Sequence, residues 1–309
     1  MFVRKNYRWK AVCCAVLTIA YCSTTVSAED VFQKLGASLN QSAVDARVDR
    51  VWHAIPGLSG WALNIAQSEQ TTKMKHDGQT HLVWDKVPPT VSLRTLPPEP
   101  IYKGPSSAAE KPVCLMVNVS WGEEYVPAML KTLASTHVPA TFFVDGAWAR
   151  KHPQLVKQMV FEGQDIGSHG SGHPDFRQLT NAALVKQISE TNQTIQAITG
   201  RPVDIIAPPS GSYDQRVVKL ARQSDMYTIL WTTDTVDWKR PPAASIVARV
   251  VAGVSPGALV LMHPTAPTKD ALPQIIAHLR ARGYIFKTVD DMVAERSVAA
   301  PPIMLREKR

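Results

Sequence analysis

The sequence predicts an α/β protein, a distorted and closed or nearly closed (β/α)7 barrel preceded by a small α+β module. Three observations carry this reading. Between residues 105 and 297 short apolar runs alternate with helix-patterned segments, the signature of parallel strands joined by helical crossovers. Seven such units fit into that span, which suits a barrel better than an open sheet. No glycine-rich dinucleotide loop follows the first strand, which sets the Rossmann arrangement aside.

The chain begins with a secretion-signal pattern. Arg4, Lys5, Arg8 and Lys10 precede the apolar run from Ala11 to Tyr21, and Val26-Ser27-Ala28 places small residues at the cleavage positions, so the mature chain is expected to start at Glu29 outside the cytoplasm. The apolar run is short for a bilayer crossing, so any membrane contact is expected only through an uncleaved leader. Bulky Tyr21 before Cys22 argues against lipidation there. Loss of residues 1–28 removes four basic residues and no acid, and the formal charge falls from +8 to +4. That mild basicity suits an anionic envelope polymer. Nucleic acid is excluded as a partner, because no ladder of aromatic and basic residues is present. Cys13, Cys14 and Cys22 leave with the leader, so Cys114 remains alone and no intramolecular disulfide is expected. With 45% hydrophobic and 19% charged residues, the rest can bury a full core.

Residues 29–104 read as a separate small module and proline-rich linker. Val48, Val51 and Trp52 recur at helical spacing, Pro56-Gly57 and Gly60 mark turns, and Trp61 to Ile65 and His81 to Trp84 are strand candidates. Pro88-Pro89, Pro97-Pro98 and Pro100 stiffen the connector. Seven strands follow in residues 105–297: Val113 to Val119, Ala140 to Val144, Asp165 to Ser168, Ile205-Ile206, Tyr227 to Trp231, Ala258 to Met262 and Tyr284 to Lys287. The helix Asn181 to Thr199 carries Leu184, Ile188, Ile195 and Ile198 on one stripe and stops at Gly200. Residues 298–309 read as a flexible tail.

Parallel strands gather the residues just past their ends on one face. The first strand delivers Asn118-Val119-Ser120-Trp121-Gly122-Glu123-Glu124, and the third delivers His169 and His173 in a loop of small residues. Two imidazoles four residues apart on such a loop can grip one metal ion. The fourth strand delivers Ala207-Pro208-Pro209-Ser210-Gly211, the fifth Asp234 and Asp237-Trp238, and the sixth His263-Pro264.

In the order and spacing of these five segments, residues 111–293 resemble the NodB-homology polysaccharide deacetylases, carbohydrate esterases that remove acetyl groups from chitin and peptidoglycan sugars. The whole-chain organisation, with the small N-terminal module and the Asn-Val-Ser-Trp-Gly variant, is similar to the sporulation-associated members. The resemblance implies that His169 and His173 hold a divalent metal, usually zinc, and that His263 is the general acid, oriented by Asp237. It implies that Pro209 and Ser210 shape the substrate groove. The expected partner is an acetylated amino-sugar polysaccharide, peptidoglycan first, and the expected chemistry is metal-assisted hydrolysis of its acetyl groups.

Two family positions depart together. Where the family has Thr-Phe-Asp-Asp-Gly, with its general base and a metal ligand, Ser120 and Trp121 replace both aspartates. Where the family has an arginine that holds the base, this chain has Ala207. The sequence therefore leaves two readings open, a deacetylase or a catalytically degenerate fold kept as a carbohydrate-binding or assembly module. Glu124, with Glu123 beside it, is either a replacement ligand or a first-turn acid of the following helix. Trp121 either stacks on a sugar ring or fills the space of the lost carboxylate. Trp238 is a further substrate-binding candidate and is expected to be packed rather than exposed.

Overall fold

The computed structural model describes residues 27–107, 110–295 and 303–305. The expected secretion signal, residues 1–28, lies almost wholly outside the described residues. Among the described residues no helix is long and apolar enough to cross a membrane.

The chain opens with α1 (Ala28–Leu39), started by a capping box between Ser27 and Asp30. Two antiparallel strands, β1 (Arg47–Asp49) and β2 (His53–Ile55), follow. The helical reading of Val48, Val51 and Trp52 is therefore corrected to a hairpin. Asp49 Oδ1 accepts the amides of Val51 and Trp52 at 2.8 and 2.9 Å and turns the chain there, and Val48 and Val51 lie exposed. Next come β3 (Gly60–Leu63), α2 (Ile65–Lys75), β4 (Thr80–His81) and β5 (Trp84–Val87). β3 pairs with β5, and Phe32, Leu63 and Leu82 form a small core under α1.

The larger body runs β6 (Lys111–Val119), α3 (Val126–Ser135), β7 (Thr141–Val144), α4 (Gly146–Lys151), α5 (Pro153–Phe161) and β8 (Asp165–Ser168). It continues with α6 (Asn181–Thr199), β9 (Ile205–Ile206), α7 (Gln215–Gln223), β10 (Tyr227–Thr228) and β11 (Thr233–Asp234). Then follow α8 (Ala243–Gly253), β12 (Ala258–Met262), α9 (Ala266–Ala281), β13 (Tyr284–Phe286) and α10 (Val289–Val293). The sheet order is β10-β9-β8-β7-β6-β12-β11, all parallel, with β13 paired to the first three residues of β6. This is the curled parallel sheet of a distorted barrel, with helices outside. The short polar β11 was not anticipated.

Alternation along the strands explains both cores. Val113, Leu115, Val117 and Val119 face the helices, as do Ala258, Val260 and Met262. Cys114 and Met116 face inward with Phe143, Ile205, Ala207, Ile229, Leu259 and Leu261. Continuing that parity upward brings Asn118, His169 and His263 to the top of the barrel interior. The fold thus builds a polar floor at the carboxyl ends of its strands.

The proline-rich connector is part of the barrel wall. Ile101 bridges Ile229 in parallel and Lys103 bridges Ala258, so residues 101–104 span the gap between β10 and the start of β12. Ile101 is 1% exposed, and Gly104 lies against Met292. Of the expected tail only residues 303–305 are described, and there β14 (Met304–Leu305) pairs with β4 of the N-terminal module.

Candidate active site

His169 follows β8 and is 2% exposed. Its Nδ1 donates to the Ala207 carbonyl at 2.8 Å, which fixes the tautomer and leaves Nε2 as a lone pair. Burial pushes its pKa down to about 3, so the ring stays neutral and able to ligate. The His173 ring stands edge-on to it, with centroids 5.3 Å apart.

His173 is held by a residue that sequence reasoning missed. Asp145 Oδ1 caps α4 through the amides of Ala147 and Trp148 at 2.7 and 3.0 Å, while Oδ2 accepts the His173 amide at 3.1 Å. That second bond steadies His173 in a left-handed conformation, φ 55°. The signal was legible: Asp145 is the first residue past the second strand, where the same strand-end argument applies.

On the opposite side, His263 Nδ1 donates to Asp237 Oδ1 at 2.8 Å, and the His263 amide donates to Oδ2 at 2.7 Å. Thr268 Oγ1 also donates to Oδ2, at 2.6 Å. Asp237 is fully buried, and three charge-assisted bonds compensate its desolvation. Thr268 is thus a third member of this set, delivered by the first turn of α9. The turn before Asp237 is strained, because Val236 is β-branched and sits at φ 55°. Asp234 Oδ1 accepts its amide at 2.7 Å and holds the turn.

Trp121 lies parallel to His263, with centroids 6.0 Å apart and 6° between planes. Gly122 makes this possible: it has φ 80°, and a Cβ there would stand 2.1 Å from the Pro264 carbonyl oxygen. The loop after β6 is seated directly on the loop after β12. Trp121 is 41% exposed and Trp238 54% exposed, so the packed reading of Trp238 is corrected. Its indole stands out from the strained turn, with Lys239 Nζ 4.9 Å from the ring centroid.

Ser120 Oγ and the Asn118 side-chain oxygen are buried with no hydrogen-bond partner from the protein. Glu123 accepts from Trp148 Nε1 at 3.4 Å, and its own amide and that indole lower its pKa. Glu124 is exposed on the turn before α3. Among the described residues no three of His, Cys, Asp and Glu converge, so neither acid joins His169 and His173. Catalytic zinc takes three protein ligands. The donors present fall one short and do not fit that centre.

Pro209 is buried and Ser210 adopts φ 54°. With His173, Asp175, Arg177 and Tyr213 they border a cleft of about 360 Å³. Ser212 donates to Asp175 and accepts from Arg177 Nε at 2.8 Å, which locks one wall. The hydroxyl of Ser212 lowers the Asp175 pKa, ahead of the Arg177 contacts.

The Polysaccharide deacetylase family profile matches residues 106–229. The uncharacterized protein YlxY of Bacillus subtilis is 38% identical over 88% of this chain and 86% of its own length. The peptidoglycan-N-acetylmuramic acid deacetylase PdaA of the same organism is 30% identical over 63% of this chain and 76% of its own. The chain belongs to the polysaccharide deacetylase family. Among solved structures, a CE4 family pseudoenzyme of Bacillus anthracis superposes with a TM-score of 0.75 at 36% identity, covering 87% of this chain and 96% of that one. A mutant of that pseudoenzyme, described as having restored enzymatic activity, superposes equally well, at 36% identity over 87% of this chain and 99% of that one.

Proposed function

We propose that this chain binds an acetylated amino-sugar polymer of the bacterial envelope, peptidoglycan, and does not deacetylate it as it stands. The observation that carries this reading is the Trp121 indole stacked on His263. It occupies the loop position where the family resemblance places a metal-binding carboxylate, and it offers the flat apolar face on which a pyranose ring packs. Ser120 and Ala207 leave the general base and its arginine unfilled as well. Export rests on the leader pattern, and the mild positive charge of residues 29–309 suits an anionic envelope polymer. The peptidoglycan deacetylases among the relatives support the substrate class, and the pseudoenzyme neighbours support the silent state. A place at the spore cortex, as a binder of its glycan, follows the sporulation-associated resemblance. Any divalent metal, zinc first, is held weakly at His169 and His173.

A second reading, residual deacetylation, draws on one observation: the acid half is intact. Asp237 and Thr268 keep His263 oriented with its Nε2 free to give a proton to a leaving amine. Co-sedimentation with insoluble peptidoglycan, paired with an acetate-release assay on the same material, separates the two. Binding without acetate release supports the proposal, whereas release at the rate of an ordinary family enzyme refutes it.

A further inference from the structure

We infer that the cleft continues beyond Tyr213 onto the N-terminal module, where Tyr102 and His53 form an outer subsite for a further sugar of the same polymer strand. This rests on the reading of the barrel cleft as a glycan site. At about 360 Å³ the cleft lies at the low end of small-molecule sites, so a polymer must run out of it. Tyr213 forms one border and begins a row of three rings, with Tyr102 and His53 beyond it. The Tyr213 and Tyr102 hydroxyls are hydrogen-bonded at 2.7 Å, with the rings edge to face at 6.4 Å and 65°. The Tyr102 ring is stacked on His53 at 5.6 Å and 27°. Each ring is only half buried, and each combines an apolar face with a polar tip, the pairing that sugar C–H faces and hydroxyls need.

The row is rigid relative to the cleft. His53 bridges Ile101, which in turn bridges Ile229 of the barrel, and Gln215 Nε2 donates to the Pro98 carbonyl at 2.7 Å. Glu99 accepts from His53 Nδ1 at 3.0 Å, setting the ring plane and leaving Nε2 for a sugar hydroxyl. A ligand that lands here meets rings already ordered and avoids the cost of immobilising them. Such a subsite gives the N-terminal module a function: it selects polymer over short fragments.

The test is calorimetric titration of the full chain with a disaccharide and a hexasaccharide of N-acetylglucosamine. The wild type is expected to bind the hexasaccharide more tightly. Tyr102→Ala and His53→Ala should each weaken the hexasaccharide about threefold to tenfold and leave the disaccharide unchanged. Tyr102→Phe, which keeps the ring and loses only the hydroxyl contact, should retain the length preference and so guards against misfolding of the alanine variant. A length preference that survives both alanine variants, or equal loss on both ligands, overturns the subsite and leaves the cleft reading standing. No binding of either ligand by the wild type overturns the cleft reading and the subsite together.

Discussion

The imidazole of His263 lies parallel to the indole of Trp121, 6° between planes and 6.0 Å between centroids, while its Nδ1 is fixed by Asp237. The Asp237–His263–Thr268 set is therefore intact beside a side chain that can neither ligate a metal nor remove a proton. Both features follow from loop seating. Gly122 lets the first strand-end loop touch Pro264, and Thr268 braces the carboxylate from below.

The first expectation concerns metal. Two imidazoles without a third protein ligand should release zinc readily, so the wild type should lose it on mild chelation. Trp121→Asp places a carboxylate on the same loop and should tighten zinc binding by about tenfold or more. Changing both His169 and His173 to Ala should abolish binding in either background. Plasma emission analysis after dialysis checks this, and zinc retained by the double histidine variant would rule out the site.

The second expectation concerns stability against pH. Asp165 begins β8, and burial raises its pKa to about 6. Thr141 Oγ1 donates to it at 2.9 Å, and the nearby Asp290 charge pushes in the same direction as burial. Because the folded pKa lies above the model-compound value of 3.8, this group's contribution is full below that value and lost as pH rises through about 6. Asp165→Asn keeps an acceptor for Thr141 and removes the charge. The variant should match the wild type near pH 4 and exceed it at pH 7.5 by roughly 3 kcal/mol at most. Urea unfolding at the two pH values measures this, and an equal shift at both would show that charge is not the cause.

A third expectation concerns the joint between module and barrel. Glu295 Oε1 accepts the amides of Gly57 at 2.9 Å and Leu93 at 2.7 Å, and its carbonyl accepts Ser59 N and Oγ. Glu295→Ala strands two amides of the module and should cost about 1–3 kcal/mol. Limited proteolysis should then cut faster within residues 88–100, where the connector meets the barrel. Unchanged cleavage would mean that the Ile101 and Lys103 bridges alone hold the joint.

Much of this architecture was legible because the barrel strands are buried on both faces and read as unbroken apolar runs. The strand-end rule then placed His169, His173, Asp237 and His263 together without any distance information. What escaped detection has physical reasons. β11 is two polar residues and carries no hydrophobic signal. α1 abuts the apolar N-terminal run, and α2 is rich in Gln, Ser and Thr with almost no apolar stripe, whereas Val48, Val51 and Trp52 mimic a helical spacing. The prolines before Ile101 mark a connector, but only tertiary pairing shows that its end plugs the barrel wall. The stacking of Trp121 on His263 depends on two loops 142 residues apart in sequence, which no local pattern encodes.

The last expectation concerns recovered chemistry. A positioned general base contributes typically about 10²–10⁴-fold, so its absence is enough to silence the site. Ser120→Asp alone should not restore turnover, because it adds a charge at a place where the serine oxygen is already buried and unpartnered. Ala207→Arg alone would bury a cation among Phe143, Ile205 and Ile229. Each single variant should therefore be less stable than the wild type, and the pair should be less destabilised than their sum, since the two charges compensate each other. Adding Trp121→Asp removes the indole beside His263 and supplies the missing carboxylate. The triple variant should release acetate from acetylated chitin oligomers in zinc-containing buffer, whereas none of the single variants should, because groups that act as a unit are non-additive. His263→Ala in the triple background should remove the gain, and Asp237→Asn should reduce it by weakening the orientation of the imidazole. Should the triple variant fold, bind zinc and still release no acetate, the silence of this site would lie in the cleft beside Ser210 and not in the lost base.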